Sequence, residues 1–342
     1  VKVLGIESSC DETAVAIVED GKKILSNVVA TQIPFHEIYK GVVPEIASRK
    51  HAEWILPVVK QALSESGLSL SDVDAVAATN RPGLMGSLLV GLSFGKTLAW
   101  SIGKPFIAVN HMLGHLYAAH LVEDICYPYI GLLVSGGHTV ICKVSDFDSI
   151  EVLGTTVDDS VGEAFDKVAK FYGLGYPGGV IIDRLSKNGD PKSASFPVPR
   201  LDGDGRRYDM SFSGLKTAVI HQRELFWNPG YEHSDENMCA AFQETACSTL
   251  TSRLFRAVED TGLTTVVAGG GVAANSRLRE ILSERKDLKC IFPPLKLCGD
   301  NGAMIAGIAY HFLMRGERSP WNTVACARML EFKRGLKGKG AS

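Results

Sequence analysis

The chain opens with three short runs rich in β-branched and apolar residues, Val1–Ser8, Glu12–Glu19 and Lys23–Thr31, split by turn formers. They predict three strands, the first two joined through Ser8-Ser9-Cys10-Asp11. The period then changes. Over Pro44–Gly67, Ile46, Ile55, Leu56, Val59 and Leu63 recur at roughly helical spacing, and Pro57 is expected to kink or divide that helix. A strand follows at Val73–Thr79, a helix at Ser87–Ile102, a strand at Phe106–Val109 and a helix at His111–Val122. The order is βββαβαβα.

That order begins again. Tyr129–Val134, Thr139–Val144 and Ile150–Val157 predict three more strands. Helices are expected at Gly162–Tyr172, Val180–Ser186, Ser213–Arg223 and Asn237–Thr261. The strand Thr265–Ala268, helix Asn275–Arg285, strand Cys290–Phe292 and helix Asn301–Arg315 complete the pattern. Gly5, Ser9 and Thr13 have the same spacing as Gly131, Ser135 and Thr139, which points to an internal duplication. The expected division is an N-terminal lobe of residues 1–108 plus about 301–325, a C-terminal lobe of 109–300, and a basic tail of 326–342. Helix Asn301–Arg315 is expected to cross back onto the first lobe. Two such α/β lobes, each offering the backbone N–H groups of its first hairpin turn to a central cleft, would cradle anions. This pattern resembles the actin, sugar kinase and heat-shock ATPase (ASKHA) superfamily.

Charge narrows the partners. Against 36 Lys and Arg stand 38 Asp and Glu, a formal net charge of −2, which excludes a basic coat over the whole surface. A local patch remains. From Ala325 onward Arg328, Lys333, Arg334, Lys337 and Lys339 face only Glu331. The 8 Cys have no C-x-x-C spacing and are too sparse for a disulfide scaffold, so reduced thiols and a cytoplasmic location are expected. The longest stretch without formal charge, Ile125–Cys142, is interrupted by Pro128, Gly131, Ser135, Gly136 and Gly137, so no membrane span is expected. Val3-Leu4-Gly5-Ile6 follows directly on the first residues, so no leader is expected either.

Several segments carry candidate chemistry. Asn110-His111-Met112-Leu113-Gly114-His115 places two His at i, i+4 on one helix face, where both can reach one metal ion. Alone, such a pair also occurs on solvent-facing helices. Met112 stands where the H-E-x-x-H motif has its general base, which disfavours a metalloprotease. Val134-Ser135-Gly136-Gly137-His138 is a strand end and Gly-Gly turn, either an oxyanion cradle or an ordinary hairpin. Gly269-Gly270-Gly271 before Asn275 can hold a nucleotide's base or sugar, or be a plain β–α turn. Asp166 and Asp183 stand near turns and helix starts, where they can bind a ribose diol or serve as helix caps.

In order along the chain, Gly5-Ile6-Glu7-Ser8-Ser9-Cys10-Asp11-Glu12-Thr13, Asn110–His115, Ser135–Thr139, Gly162–Lys167, Tyr176–Gly179, Ser211–Thr217, Gly270–Asn275 and Cys298–Met304 form a specific set. The set resembles the TsaD family and extends to about Arg315. The resemblance implies transfer of a threonylcarbamoyl group from threonylcarbamoyl-AMP to N6 of the tRNA adenosine next to the anticodon. It implies a metal, usually iron with zinc or magnesium as alternatives, on His111, His115 and Asp300. It further implies adenylate contacts from Val134, Ser135, Gly136, Gly137, His138, Asp166, Gly179, Asp183 and Asn275. A complex with a TsaB-like paralogue and a TsaE-like ATPase belongs to the same expectation. Three positions depart from the family pattern: Arg81 for Gly, Leu113 for Glu and Gly299 for Thr.

The implied chemistry asks the protein to position a weakly nucleophilic amine and stabilise an oxyanion. Asp11 or Glu12, at the first hairpin turn, would take or orient the amine proton. Two other readings stand beside it: an ATP-dependent kinase or hydrolase of the same superfamily, and a non-catalytic scaffold subunit of the tRNA-modification complex.

Overall fold

A computed structural model describes residues 1–198, 201 and 206–328. Beyond Arg328, the tail expected over 326–342 lies outside the described residues. The first strands and helices are β1 Lys2–Glu7, β2 Glu12–Glu19, β3 Lys23–Thr31, α1 Ile33–His36, α2 Pro44–Ser66, β4 Ala75–Arg81, α3 Met85–Ser101, β5 Phe106–Asn110 and α4 His111–Tyr117. Next come β6 Tyr129–Val134, β7 Thr139–Asp146, β8 Ser149–Thr155, α5 Val161–Phe171, α6 Gly178–Ser186, α7 Ser213–Gln222 and α8 Asp235–Thr261. The last are β9 Thr265–Gly269, α9 Ser276–Glu284, β10 Lys289–Ile291, α10 Leu295–Cys298 and α11 Gly302–Met314.

Among the described residues the strands form two five-stranded sheets of one topology, β3-β2-β1-β4-β5 and β10-β9-β6-β7-β8. In the first, β1 is antiparallel to β2, with Glu7 opposite Ala14, and parallel to β4. In the second, β6 is antiparallel to β7, with Val134 opposite Thr139, and parallel to β9. The match of β1 with β6, β2 with β7 and β4 with β9 is the duplication that the spacing predicted. Both central strands are buried almost throughout, as strands covered on two faces must be.

Two compact units result. One comprises Val1–Cys126, Asp146–Ser149 and the described residues from Pro293 on; the other comprises Tyr127–Ser145 and Ile150–Phe292. The boundaries differ from the expected 108/109 and 300/301. Tertiary contacts explain the shift: α4 packs on α11, the Tyr117 hydroxyl lies 3.1 Å from the Gly21 carbonyl, and α10 packs on the turn Ala118–Leu121.

In the first unit, Leu4, Ile6, Val15 and Ile17 meet Val58, Val59 and Ala62 of α2 and Leu92 and Ala99 of α3 in one apolar layer. The returning helix α11 also packs on β1 and β2. A Cβ on Gly302 would lie 2.5 Å from the Ala16 amide nitrogen, so only glycine lets helix and strand backbones touch. Pro57 does not divide α2. Ala47, His51 and Ile55 before it and Val58, Val59 and Ala62 after it are all buried, and this burial outweighs the roughly 3 kcal/mol that a helical proline costs. The helix expected over His111–Val122 is α-helical only to Tyr117 and tightens into a 3-10 turn over Ala118–Leu121.

Candidate functional site

The Asn110 side chain caps α4 by accepting from the Met112 amide at 2.9 Å. The helix then carries His111 and His115 one turn apart, with ring centroids 4.5 Å from each other. A residue far along the chain completes the group. Asn301 caps α11 through the Met304 amide at 3.0 Å, and its amide donates to the Gly299 carbonyl at 2.8 Å. That doubly anchored turn delivers Asp300, whose Oδ1 lies 3.1 Å from His115 Nε2 and 3.5 Å from His111 Nε2. One ligand atom from each of His111, His115 and Asp300 lies within 4.8 Å of the others.

These residues fit a metal. Both ring nitrogens of His115 are buried, Nδ1 with no polar partner and Nε2 with only the Asp300 carboxylate, 3.1 Å away, before it. Such an orphan is costly unless something else accepts its lone pair. Two imidazoles and one carboxylate suit zinc or iron better than magnesium, which prefers all-oxygen ligands.

The electrostatics are those of a shielded ionic cluster. Burial works against a charged His111, but Asp300 and Glu7 outweigh it and hold the imidazole up at about 9. Burial, then the charge of His111, push His115 down. Burial opposes ionisation of Glu7, yet the charge and hydrogen bond of His111 hold its carboxyl below the usual range.

Asp11 is buried in the turn between β1 and β2, its carbonyl accepting from the Gln32 amide at 3.0 Å. Glu12 opens β2. Burial, then Asp11 and Asp300, push its carboxyl well above the ordinary value. The structure thus brings Asp300 to the His pair and places the acidic turn within its electrostatic reach.

The expected adenylate residues all belong to the second unit. Ser135 closes the β6–β7 turn, its amide donating to the His138 carbonyl at 2.8 Å and its hydroxyl accepting from the His138 amide at 3.1 Å. Neighbouring glycines lock other loops to this turn. A Cβ on Gly162 would lie 2.6 Å from the Ser135 carbonyl oxygen, and one on Gly270, at φ +93°, 2.3 Å from that of Val134. In contrast, a Cβ on Gly136, Gly137 or Gly271 would meet nothing within 4 Å, and one on Gly179 would only touch Phe165. The open glycines therefore face space, as a backbone cradle requires.

Three of the expected ligands have structural partners. Asp166 accepts from the Gly178 amide at 2.7 Å, at the start of α6. Asp183 accepts from the Ser276 amide at 3.0 Å and its hydroxyl at 2.7 Å, at the start of α9. Asn275 caps α9 through the Leu278 amide at 3.0 Å and donates to Gln243 at 2.7 Å. The helix-cap alternative therefore describes contacts that these side chains do make.

Two residues at the metal cluster escape sequence reading. Glu7 and Thr79 contribute a buried carboxylate and hydroxyl behind His111. Glu7 sits inside a quoted motif, but nothing local marks its partner. Of the departures from the family pattern, Gly299 is no steric requirement, since a Cβ there would meet nothing within 4 Å. Leu113 is buried where an acid was expected.

The duplicated sheets form an α/β fold of the ASKHA type, and solved structures carry the same fold. Component A of the (R)-2-hydroxyglutaryl-CoA dehydratase of Acidaminococcus fermentans matches with TM-score 0.52 and 16% identity, over 91% of this chain and 98% of that one. Full-length HypF, in a phosphate- and nucleotide-bound form, matches with TM-score 0.61 and 14% identity, over 92% of this chain and 46% of that one. The sequence goes further than the fold. The chain belongs to the TsaD family, whose model, described as tRNA N6-adenosine threonylcarbamoyltransferase, matches residues 23–307. Proteins bearing that name include one from Treponema denticola, 69% identical over 334 residues, covering 98% of this chain and 99% of the relative. Another, from Brachyspira hyodysenteriae, is 47% identical over 333 residues, covering 97% and 98%. Among the described residues no helix is long and apolar enough to cross a membrane.

Proposed function

We propose that the chain transfers the threonylcarbamoyl group of threonylcarbamoyl-AMP to N6 of the adenosine next to the anticodon, in tRNAs reading codons that begin with adenine, releasing AMP. The observation that carries this reading is the His111, His115 and Asp300 cluster within a chain of this family. The N6–carbon bond forms, the carbon–oxygen bond to phosphate breaks, and N6 loses a proton.

His111, His115 and Asp300 hold one divalent metal, iron by preference. When bound, it supplies Lewis-acid polarisation and a template for substrate oxygens. The chain's own residues do the rest. The open backbone at Gly136, Gly137, Gly179 and Gly271 admits the adenylate, with Val134, Ser135 and His138 shaping the turn. Asp166, Asp183 and Asn275 keep the two junctions at the starts of α6 and α9 rigid while presenting their remaining polar capacity to the nucleotide. Glu12, whose carboxyl is pushed well above its ordinary value by burial and then by Asp11 and Asp300, and Asp11 beside it are the groups that take or orient the amine proton. A TsaB-like paralogue and a TsaE-like ATPase are the proposed partners, in a cytoplasmic setting.

Unmodified tRNA, threonylcarbamoyl-AMP and metal-loaded protein, with and without those partners, test the reading. Threonylcarbamoyladenosine and AMP in equal amounts are expected. If wild type and His115→Ala both yield none under every condition, the chain is a non-catalytic subunit.

A further inference from the structure

Glu7 is fully buried at the end of β1, a place where a carboxylate is expensive. Three groups converge on it. Its Oε1 accepts from the Ser9 amide at 2.6 Å, and its Oε2 accepts from the Thr79 hydroxyl at 2.5 Å. The same Oε2 lies 3.0 Å from Nδ1 of His111. The Ser9 hydroxyl is the other neighbour of that nitrogen, at 3.2 Å.

Resting on the metal reading above, we infer that Glu7 is a positioning residue for the metal centre. It fixes the His111 ring so that Nδ1 carries the hydrogen and Nε2 turns its lone pair towards Asp300 and His115. The geometry carries this. An anionic carboxylate is a stronger acceptor than a serine hydroxyl, so Nδ1–H points to Glu7 rather than Ser9. With Nδ1 so engaged, Nε2 is left as the donor atom, 3.5 Å from Asp300 Oδ1. A carboxylate behind a ligating imidazole raises its basicity and locks its orientation. Thr79, on β4, holds the very oxygen that meets His111, so two neighbouring strands of one sheet aim one ring. Glu7 and Asp300 together also match the two positive charges of a divalent ion in a buried place.

The test measures zinc affinity of the purified full chain by chelator competition, with no turnover involved. Glu7→Gln keeps the shape and removes the charge. It should weaken zinc by about 10- to 100-fold at unchanged stoichiometry of one per chain. Ser9→Ala should change affinity by less than about 3-fold, the weaker acceptor adding little. If Glu7→Gln does not fold, Thr79→Val, which frees the oxygen but leaves the carboxylate, should still weaken zinc by about 3-fold or more. Equal affinity in wild type and Glu7→Gln, or a larger loss from Ser9→Ala, overturns the assignment. So does a Thr79→Val chain with wild-type affinity where Glu7→Gln cannot be prepared. Absence of zinc binding by the wild type would instead reject the metal reading itself.

Discussion

Gly5 of β1 and Ala306 of α11 meet backbone to backbone: a Cβ on Gly5 would lie only 2.4 Å from the Ala306 amide nitrogen. The contact serves the site as well as the fold. β1 ends at Glu7, α11 begins just after Asp300, and Gly114 of α4 faces Met304 and Ile305 of the same helix. The spacing between Asp300 and the two histidines is therefore set by close packing of small residues. Gly5→Ala should push α11 away, cost roughly 1–3 kcal/mol by overpacking, and weaken metal binding at the same time. Chemical denaturation and metal titration of the same preparation check both effects. A variant with full metal affinity and unchanged stability would show that α11 has more freedom than this contact allows.

The ligand set makes a separate prediction. His115→Ala removes one of three donors and should drop metal content well below one per chain, as should Asp300→Ala. Elemental analysis after dialysis against a weak chelator reads this directly. Equal occupancy in wild type and both variants would mean that the metal sits elsewhere.

Gly137 tests the cradle cleanly. A side chain there meets no protein atom within 4 Å, so Gly137→Val should fold like the wild type. On the proposed reading, its methyl groups would occupy space that the adenylate phosphate needs. Affinity for AMP or a non-hydrolysable adenylate should fall by about tenfold or more, equivalent to roughly 1.4 kcal/mol. Unchanged affinity at matched melting temperature would reject the phosphate role of the β6–β7 turn.

How far the site could be read from sequence depends on the residue. The i, i+4 spacing put His111 and His115 on one face, and the repeated Gly, Ser and Thr spacing exposed the two sheets, because both are local periodicities. Asp300 required the family resemblance, since nearly the whole second unit intervenes. Glu7 and Thr79 escaped because their meaning lies in the pairing of β1 with β4, which no local pattern encodes. The expected division at 108/109 differs from the observed units for a related reason: α4 packs on α11 and reaches the turn around Gly21 as well as lying beside β5. Asp166 and Asp183 were read as nucleotide ligands or helix caps, and sequence alone could not weigh one against the other.

His120 gives a pH prediction. Burial, and then the charge of His311, push its imidazole down to about 4, with Asp124 pulling the other way. Folded protein therefore keeps His120 neutral where the unfolded chain, with an ordinary value of about 6.5, takes up a proton. The sign follows: the stability is present above about 6.5 and is lost as pH falls towards 4, with a limiting slope of about 1.4 kcal/mol per pH unit. His120→Gln should flatten this part of the stability profile. Identical slopes for variant and wild type between pH 6.5 and 4 would show that other groups carry the acid sensitivity.

The basic tail supplies the last test, and the structure says where to cut. Lys96 donates to the carbonyls of Trp321 and Thr323, the Cys326 amide donates to the Asn80 carbonyl at 2.9 Å, and the Gly83 amide donates to the Ala327 carbonyl at 3.4 Å. Residues up to Arg328 thus belong to the first unit, and a cut after Ala325 would remove contacts along with charge. A cut after Arg328 removes Lys333, Arg334, Lys337 and Lys339 together with Glu331, a segment whose side chains carry a net +3. Cations of this kind neutralise phosphates and release counterions without reading sequence, each contributing a slope of about 0.7–0.9 in log affinity against log salt. Under this view the shortened chain binds tRNA more weakly, its salt slope falls by up to about 2–3, and its affinity for the adenylate is unchanged. Binding isotherms at several salt concentrations decide the matter. If affinity and slope match the full chain, the tail does not touch RNA, and the phosphate contacts must come from the two folded units.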